Sequence, residues 1–183
     1  MDKQRWRTIS ERLMDREPLS FDEAVYLSQF QGTNIIDLVA LANRLRAEES
    51  GSRMYLCGLI NAKSGSCSED CVFCAQSVHY QTETPLYPLK QITEILTSAK
   101  EAQAKGVASF CIVTSGKLPD EEEFEQILDA VRLIKAETML RVDCSLGQLT
   151  KERAESLAKA GVEMYNHNLE TAQSFFSQIC TTH

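Results

Sequence analysis

The chain has 183 residues, 43% of them hydrophobic and 25% charged, with a net charge of −7. That is enough apolar material for a real core. The acidic balance, with Lys and Arg scattered among carboxylates, argues against nucleic acid as a main partner, and no apolar run approaches the roughly 20 residues of a membrane span.

Residues 1–52 read as a helical extension. Ser20 and Glu23 form an S-x-x-E capping box ahead of Ala24-Val25-Tyr26-Leu27. Asn34 with Asp37 can start the next helix, whose apolar positions Ile35, Leu38, Val39, Ala42 and Leu45 recur at helical spacing. Glu49-Ser50-Gly51-Ser52 ends it. The opening MDKQRWRTIS has no apolar core of the kind a secretory signal carries.

From residue 53 onward strand and helix alternate. Met54–Asn61 reads as a strand, followed by a cysteine-rich loop. Leu89–Lys105 reads as a helix closed by Gly106, and Val107–Val113 as a short apolar strand. Glu121–Ala136 is a predicted helix with Asp120 as N-cap. The acidic run Asp120–Glu123 suits the positive end of the helix dipole and reads as a solvated cap. Met139–Asp143 is a predicted strand, Thr150–Ala160 a helix stopped by Gly161, Val162–Tyr165 a strand, and Thr171–Ile179 the start of another helix.

This rhythm implies an α/β fold with a parallel sheet and helices outside. A closed (β/α)8 TIM-type barrel takes roughly 250 residues. Residues 53–183 supply the first four βα units, about half a barrel, so the expectation is the N-terminal part of a longer protein.

Chemistry concentrates in the loop after the first strand, Cys67-Ser-Glu-Asp-Cys71-Val-Phe-Cys74. The spacing is C-x3-C-x2-C. Three thiolates this close can grip three irons of a 4Fe–4S cube and leave the fourth iron without a protein ligand, open to a cofactor or substrate. Zinc is an alternative: Cys71 and Cys74 form one C-x2-C unit, but no second pair follows and His79 is the only nearby histidine. Unliganded thiols are another. Seven cysteines without a secretory signal do not fit a disulfide framework and imply a reducing, cytoplasmic setting.

The segment Asn61–Tyr80 around these cysteines resembles the biotin synthase family of radical S-adenosylmethionine enzymes. Three further stretches match in order: Ser109-Phe-Cys-Ile-Val-Thr-Ser-Gly116, Ser145-Leu-Gly147, and Tyr165-Asn-His-Asn-Leu-Glu-Thr171 followed by Ile179-Cys-Thr-Thr-His183. The likeness covers roughly residues 20–183.

The resemblance implies a radical S-adenosylmethionine barrel with a 4Fe–4S cluster on Cys67, Cys71 and Cys74, and S-adenosylmethionine chelating the open iron. A 5′-deoxyadenosyl radical would attack dethiobiotin, and sulfur would be inserted to form biotin. Phe73 would pack beside the adenine, and Ser115 would lie near the methionyl part. Asn168 and Glu170, taken as alternating along the end of the fourth strand, would hold the ribose, with Asn168 also meeting the substrate's ureido ring. An electron donor such as flavodoxin or ferredoxin and a homodimer are implied as well.

The resemblance also implies a second, 2Fe–2S cluster with Cys111 as one ligand. Its next ligand is a cysteine two residues before Ser-Leu-Gly, and here Asp143 stands there, with Cys144 one residue later. If Arg141 and Asp143 face the barrel lumen, Cys144 faces the helices, and Asp143 can pair with Arg141 instead. A bulge could re-aim Cys144. Cys57 and Cys180 read as core or structural thiols, and His167 is given no chemical role. No catalytic residue is assigned beyond the cluster. Two alternatives stand beside this reading: a related radical enzyme acting on another small molecule, and a catalytically silent iron–sulfur or zinc module.

Overall fold

Asp2, Ser20 and Gly32 set the starts of three helices in the first unit, residues 1–54. The computed structural model describes residues 2–52 and 54–183. Helices α1 (Lys3–Met14), α2 (Phe21–Ser28) and α3 (Thr33–Ser50) follow in order. The Asp2 carboxylate accepts from Gln4 N at 3.0 Å and Arg5 N at 3.1 Å. The expected capping box at Ser20 and Glu23 forms. Ile9, Leu27 and Phe30 make a small core against which Trp6, Leu13, Tyr26 and Leu38 pack.

Helix α3 departs from expectation. It starts at Thr33, with Gly32 at the N-cap, φ +57°, and no side-chain cap. Leu41 is buried, while Ile35 and Val39 of the predicted stripe are exposed. The small core of this unit takes only Leu38 from α3, too little to cover the whole stripe.

The second unit, Tyr55–His183, is the alternating part. Strands β1 (Cys57–Lys63), β2 (Ser109–Thr114), β3 (Arg141–Ser145) and β4 (Val162–Tyr165) form one parallel sheet in chain order. Helices α4 (Ile92–Ala104), α5 (Glu121–Glu137) and α6 (Lys151–Ala160) connect them. Several expected boundaries shift: β1 runs on to Lys63 and not Asn61, β2 starts at Ser109 and not Val107, and β3 spans Arg141–Ser145 and not Met139–Asp143. Strand β1 begins at Cys57 and not Met54, and α4 begins at Ile92 because Leu89, just after Pro88, is buried as part of the core and Gln91 takes the cap. The last helix, α7, is only Phe176–Ile179; residues 172–176 close with tighter turns, Phe175 N to Ala172 O at 2.9 Å and Phe176 N to Gln173 O at 3.4 Å.

Strand parity divides the sheet. Phe110, Ile112, Val142 and Cys144 point to the helices and bury against Ile95, Ala99, Ile127, Val131, Ile134 and Leu157. Leu59, Cys111, Asp143 and Met164 are register partners across the four strands and share the opposite face. That face is open: Leu59 is 68% exposed. A parallel sheet ordinarily has both faces covered.

Asp120 caps α5 as expected, accepting from Glu123 N at 2.8 Å. The acidic run is more than a solvated cap. Glu123 also pairs with Lys63 at the end of β1 (2.6 Å), and Glu121 with Arg153 of α6 (2.5 Å). Asp120→Ala is expected to lower unfolding stability by about 1 kcal/mol and Asp120→Asn by much less, measured by urea unfolding.

Candidate functional site

The C-terminal ends of the strands carry the site, the usual location in barrels of this kind. After β1 the chain turns sharply: Gly65 and Ser66 have φ of +75° and +52°. The positive φ at Gly65 is what favours glycine there; a side chain would in addition push aside the exposed Leu86, whose Cδ2 would lie 2.0 Å away. The cysteine loop is then stapled by its own polar groups. Cys67 N donates to Gln76 O at 3.0 Å and Val78 N to Cys67 O at 2.9 Å. Gln76 Oε1 accepts from Ser64 Oγ and Gly65 N, and Ser77 Oγ donates to Glu69 O at 2.6 Å. A turn from Cys74 N to Cys71 O, 3.0 Å, brings the last two cysteines together.

Cys67, Cys71, Phe73 and Cys74 line a cleft of about 260 Å³ with Ser115, Asn168 and Glu170. Seven residues expected on separate segments are thus brought to one wall. Burial pushes the Cys71 thiol up to about 12, and its neighbours Cys180, Cys74 and Cys67 add to the shift. A thiol so placed gives up its proton more readily beside a cation, which suits a metal-binding role for Cys71. Among the described residues, no three His, Cys, Asp or Glu side chains converge on a single-ion centre. A cube makes no such demand, because each thiolate takes a different iron. The donor set fits a 4Fe–4S group.

Phe73 is 54% exposed on the cleft wall, so it is not a buried loop anchor. The Ser115 hydroxyl donates to Gly65 O at 2.7 Å, which ties the end of β2 to the cysteine loop. Asn168 and Glu170 do not extend β4 as expected. The strand stops at Tyr165, and both residues sit on the following loop. Thr171 N donates to Leu169 O at 2.7 Å around Glu170, whose φ is +61°. That is a γ-turn with a non-glycine centre, a strained conformation of the sort found at binding sites.

The second-cluster residues do not assemble. Cys111 and Asp143 are register partners on the lumen face. Asp143 is buried and paired with Arg141 at 3.2 Å. Cys144 is 0% exposed and enclosed by the helix layer, and burial raises its thiol pKa strongly. The bulge lies in β4 and not in β3, with Glu163 the extra residue between Val162 and Met164, so β3 keeps its alternation and Cys144 is not re-aimed. Cys111 is half-buried, its thiol raised by burial although Asn166 Nδ2 donates to its sulfur at 3.7 Å. Of the second-cluster candidates, only Cys111 presents a thiol on the lumen face, and the Asp143 carboxylate beside it is taken up by Arg141; no step is assigned to a 2Fe–2S group.

Sequence reasoning missed the clamp behind the cysteine loop. The Asp70 carboxylate accepts from Thr181 N at 2.8 Å, Thr182 N at 3.2 Å and Cys180 Sγ at 3.2 Å, and from both threonine hydroxyls. These donors hold its pKa far below the usual carboxylate range. Lys117 Nζ donates to Thr182 O at 2.7 Å. Cys180 is therefore not simply a core thiol, and Cys57 is exposed and no core residue at all. His167 stacks on His183 along the cleft, with their Nε2 atoms 3.1 Å apart. The Asp-Cys and Cys-Thr-Thr-His neighbourhoods were the available signal, since both lie inside the matched stretches.

Comparison with known proteins agrees with this geometry. A family model described as the radical SAM superfamily matches residues 63–183. The biotin synthase of Citrifermentans bemidjiense is 48% identical over 175 residues, covering 96% of this chain and 53% of that protein. The biotin synthase of Clostridium acetobutylicum is 44% identical over 186 residues, covering 99% of this chain and 57% of that protein. The chain spans about half the length of these relatives. Among solved structures, the FeFe-hydrogenase maturase HydG from Carboxydothermus hydrogenoformans matches with a TM-score of 0.77 at 18% identity, over 99% of this chain and 42% of that one, a likeness of fold.

Proposed function

Because the chain belongs to the radical SAM superfamily, we propose that it carries the cluster-binding half of a biotin synthase, forming biotin from dethiobiotin by radical insertion of sulfur. The observation that carries this is the convergence of Cys67, Cys71 and Cys74 on one cleft with Phe73, Asn168 and Glu170, supported by similarity to biotin synthases along 96% of the chain.

In this reading Cys67, Cys71 and Cys74 hold a 4Fe–4S cluster with one open iron. When bound, that cluster supplies the electron that splits S-adenosylmethionine into methionine and a 5′-deoxyadenosyl radical. The chain's residues bind and orient. Phe73 offers a face to the adenine. The Glu170 carboxylate accepts from the ribose hydroxyls, Asn168 donates to and accepts from them, and Asn168 reaches the substrate's ureido ring. Ser115 holds the end of β2 against the cysteine loop and so fixes one wall of the cleft. An external one-electron donor such as flavodoxin or ferredoxin, a homodimeric assembly and a cytoplasmic setting belong to the same proposal. No helix among the described residues is long and apolar enough to cross a membrane.

The test is anaerobic reconstitution with iron and sulfide, reduction, and incubation with S-adenosylmethionine. About four irons per chain are expected, with release of 5′-deoxyadenosine by the full-length protein. Tight zinc without charge-transfer absorbance refutes the cluster. An intact cluster with no 5′-deoxyadenosine supports a catalytically silent module instead.

The pairing of the buried Asp143 with the half-buried Arg141, where the resemblance expects a cysteine ligand, is the observation behind a second reading, a related radical enzyme acting on another small molecule. Complementation of a strain lacking biotin synthase by the complete reading frame separates the two. Growth without biotin supports the first reading.

A further inference from the structure

We infer that Cys71 and Cys180 are a site of reversible oxidation, forming a disulfide in the metal-free protein that withdraws one of the three cluster thiols. Their sulfurs lie 3.3 Å apart although 109 residues separate them in the chain. All seven cysteines are free thiols, and no other two sulfurs among the described residues are in hydrogen-bond contact.

The backbone around both cysteines is already fixed. On one side Val72 N donates to Ile179 O at 2.9 Å. On the other, Asp70 N donates to Thr182 Oγ1 at 2.9 Å, and the Asp70 carboxylate accepts from Thr181 N at 2.8 Å. The residues flanking each cysteine are thus hydrogen-bonded to those flanking the other. Closing the sulfurs to a bond of about 2.05 Å asks for little more than side-chain rotation. An entropic cost that ordinarily opposes linking such distant segments has been met by folding.

Access favours a defined order. Both cysteines line the cleft, but Cys71 is half-buried while Cys180 is only 4% exposed. Cys71 gives its proton to solvent as its sulfur attacks a low-molecular-weight disulfide, releasing one thiol and leaving a mixed disulfide. The Cys180 thiolate then attacks the Cys71 sulfur and expels the second thiol. In sum, two protein thiols lose two electrons and two protons, and the small disulfide is reduced to two thiols. The effect on iron rests on the cluster proposed above; the disulfide itself does not.

The experiment uses metal-free protein treated with oxidised glutathione, alkylated and mapped by peptide mass spectrometry. A Cys71–Cys180 cross-link is expected as the main internal disulfide, with Cys180→Ser leaving glutathione on Cys71. Iron uptake by the oxidised wild type should fall to roughly a tenth of that of the reduced chain and return with dithiothreitol. Reduced Cys180→Ser should take up iron like the wild type. Stable mixed disulfides on the wild type, or a cross-link between other cysteines, overturns the inference. A Cys71–Cys180 cross-link in a protein whose reduced form binds no iron leaves the inference standing and removes the cluster.

Discussion

Cys74→Ala is expected to strip the reconstituted protein of its iron, to roughly a tenth of the wild-type content or less, with loss of the charge-transfer absorbance. Cys57→Ala and Cys144→Ala are expected to leave the iron unchanged. The contrast follows from position. Cys74 lies on the cleft wall, two residues past Val72 and joined to Cys71 by the turn that ends the loop. Cys57 is exposed at the far end of β1, and Cys144 is sealed behind the sheet. With Cys74 gone, two thiolates cannot hold a cube against hydrolysis and oxidation, and the polar wall residues are poor ligands for it.

Fold damage does not account for that loss, because the Cys74 side chain is only half-buried and its loop is held by Gln76, Ser77 and Tyr80. Far-UV circular dichroism of Cys74→Ala should match the wild type. Retained iron in Cys74→Ala, at wild-type stoichiometry, would remove the assignment of the cluster to this loop.

Much of this site could be read from sequence because it depends on local rules. The C-x3-C-x2-C spacing lies within one loop, and the alternation of β-branched runs with capped helices announced the parallel sheet. Parity alone placed Cys144 on the helix side and Asp143 beside Arg141, and both expectations hold in the register of β2 and β3. Parity also misled. It extended β4 through Asn168 and Glu170, whereas the strand ends at Tyr165 and Glu170 reaches the cleft through a γ-turn. A strand that loses its partner has no ladder to keep it extended. The Asp70 clamp was invisible for another reason: its donors come from residues 110 to 112 positions away, and no local pattern reports that contact. Nor could propensity say that Ile35 and Val39 would face outward on α3.

Gly147→Ala is expected to be the most destabilising glycine substitution in the second unit, at about 3 kcal/mol or more. Gly147 has φ +85°, and a Cβ there would stand 2.1 Å from Lys117 O, 2.7 Å from Lys117 C and 2.9 Å from Gly116 O. All three are backbone atoms, so no flexible side chain can give way. The loops after β2 and β3 must separate instead. That breaks the bond from Gln148 N to Lys117 O, 2.7 Å, and disturbs the one from Tyr165 OH to Gly147 O, 2.7 Å. Each is worth about 1 kcal/mol, and the left-handed backbone adds about 1 more for a residue with a Cβ. Gly106 supplies the control. Its φ is +80° but nothing lies within 4 Å of its missing Cβ, so Gly106→Ala should show the backbone term alone, about 1 kcal/mol. Urea unfolding of both variants separates conformational strain from steric collision. Equal losses would mean that the two loops do not touch as described, and that the wall of the cleft formed by Gly116 and Gly147 is not fixed by their contact.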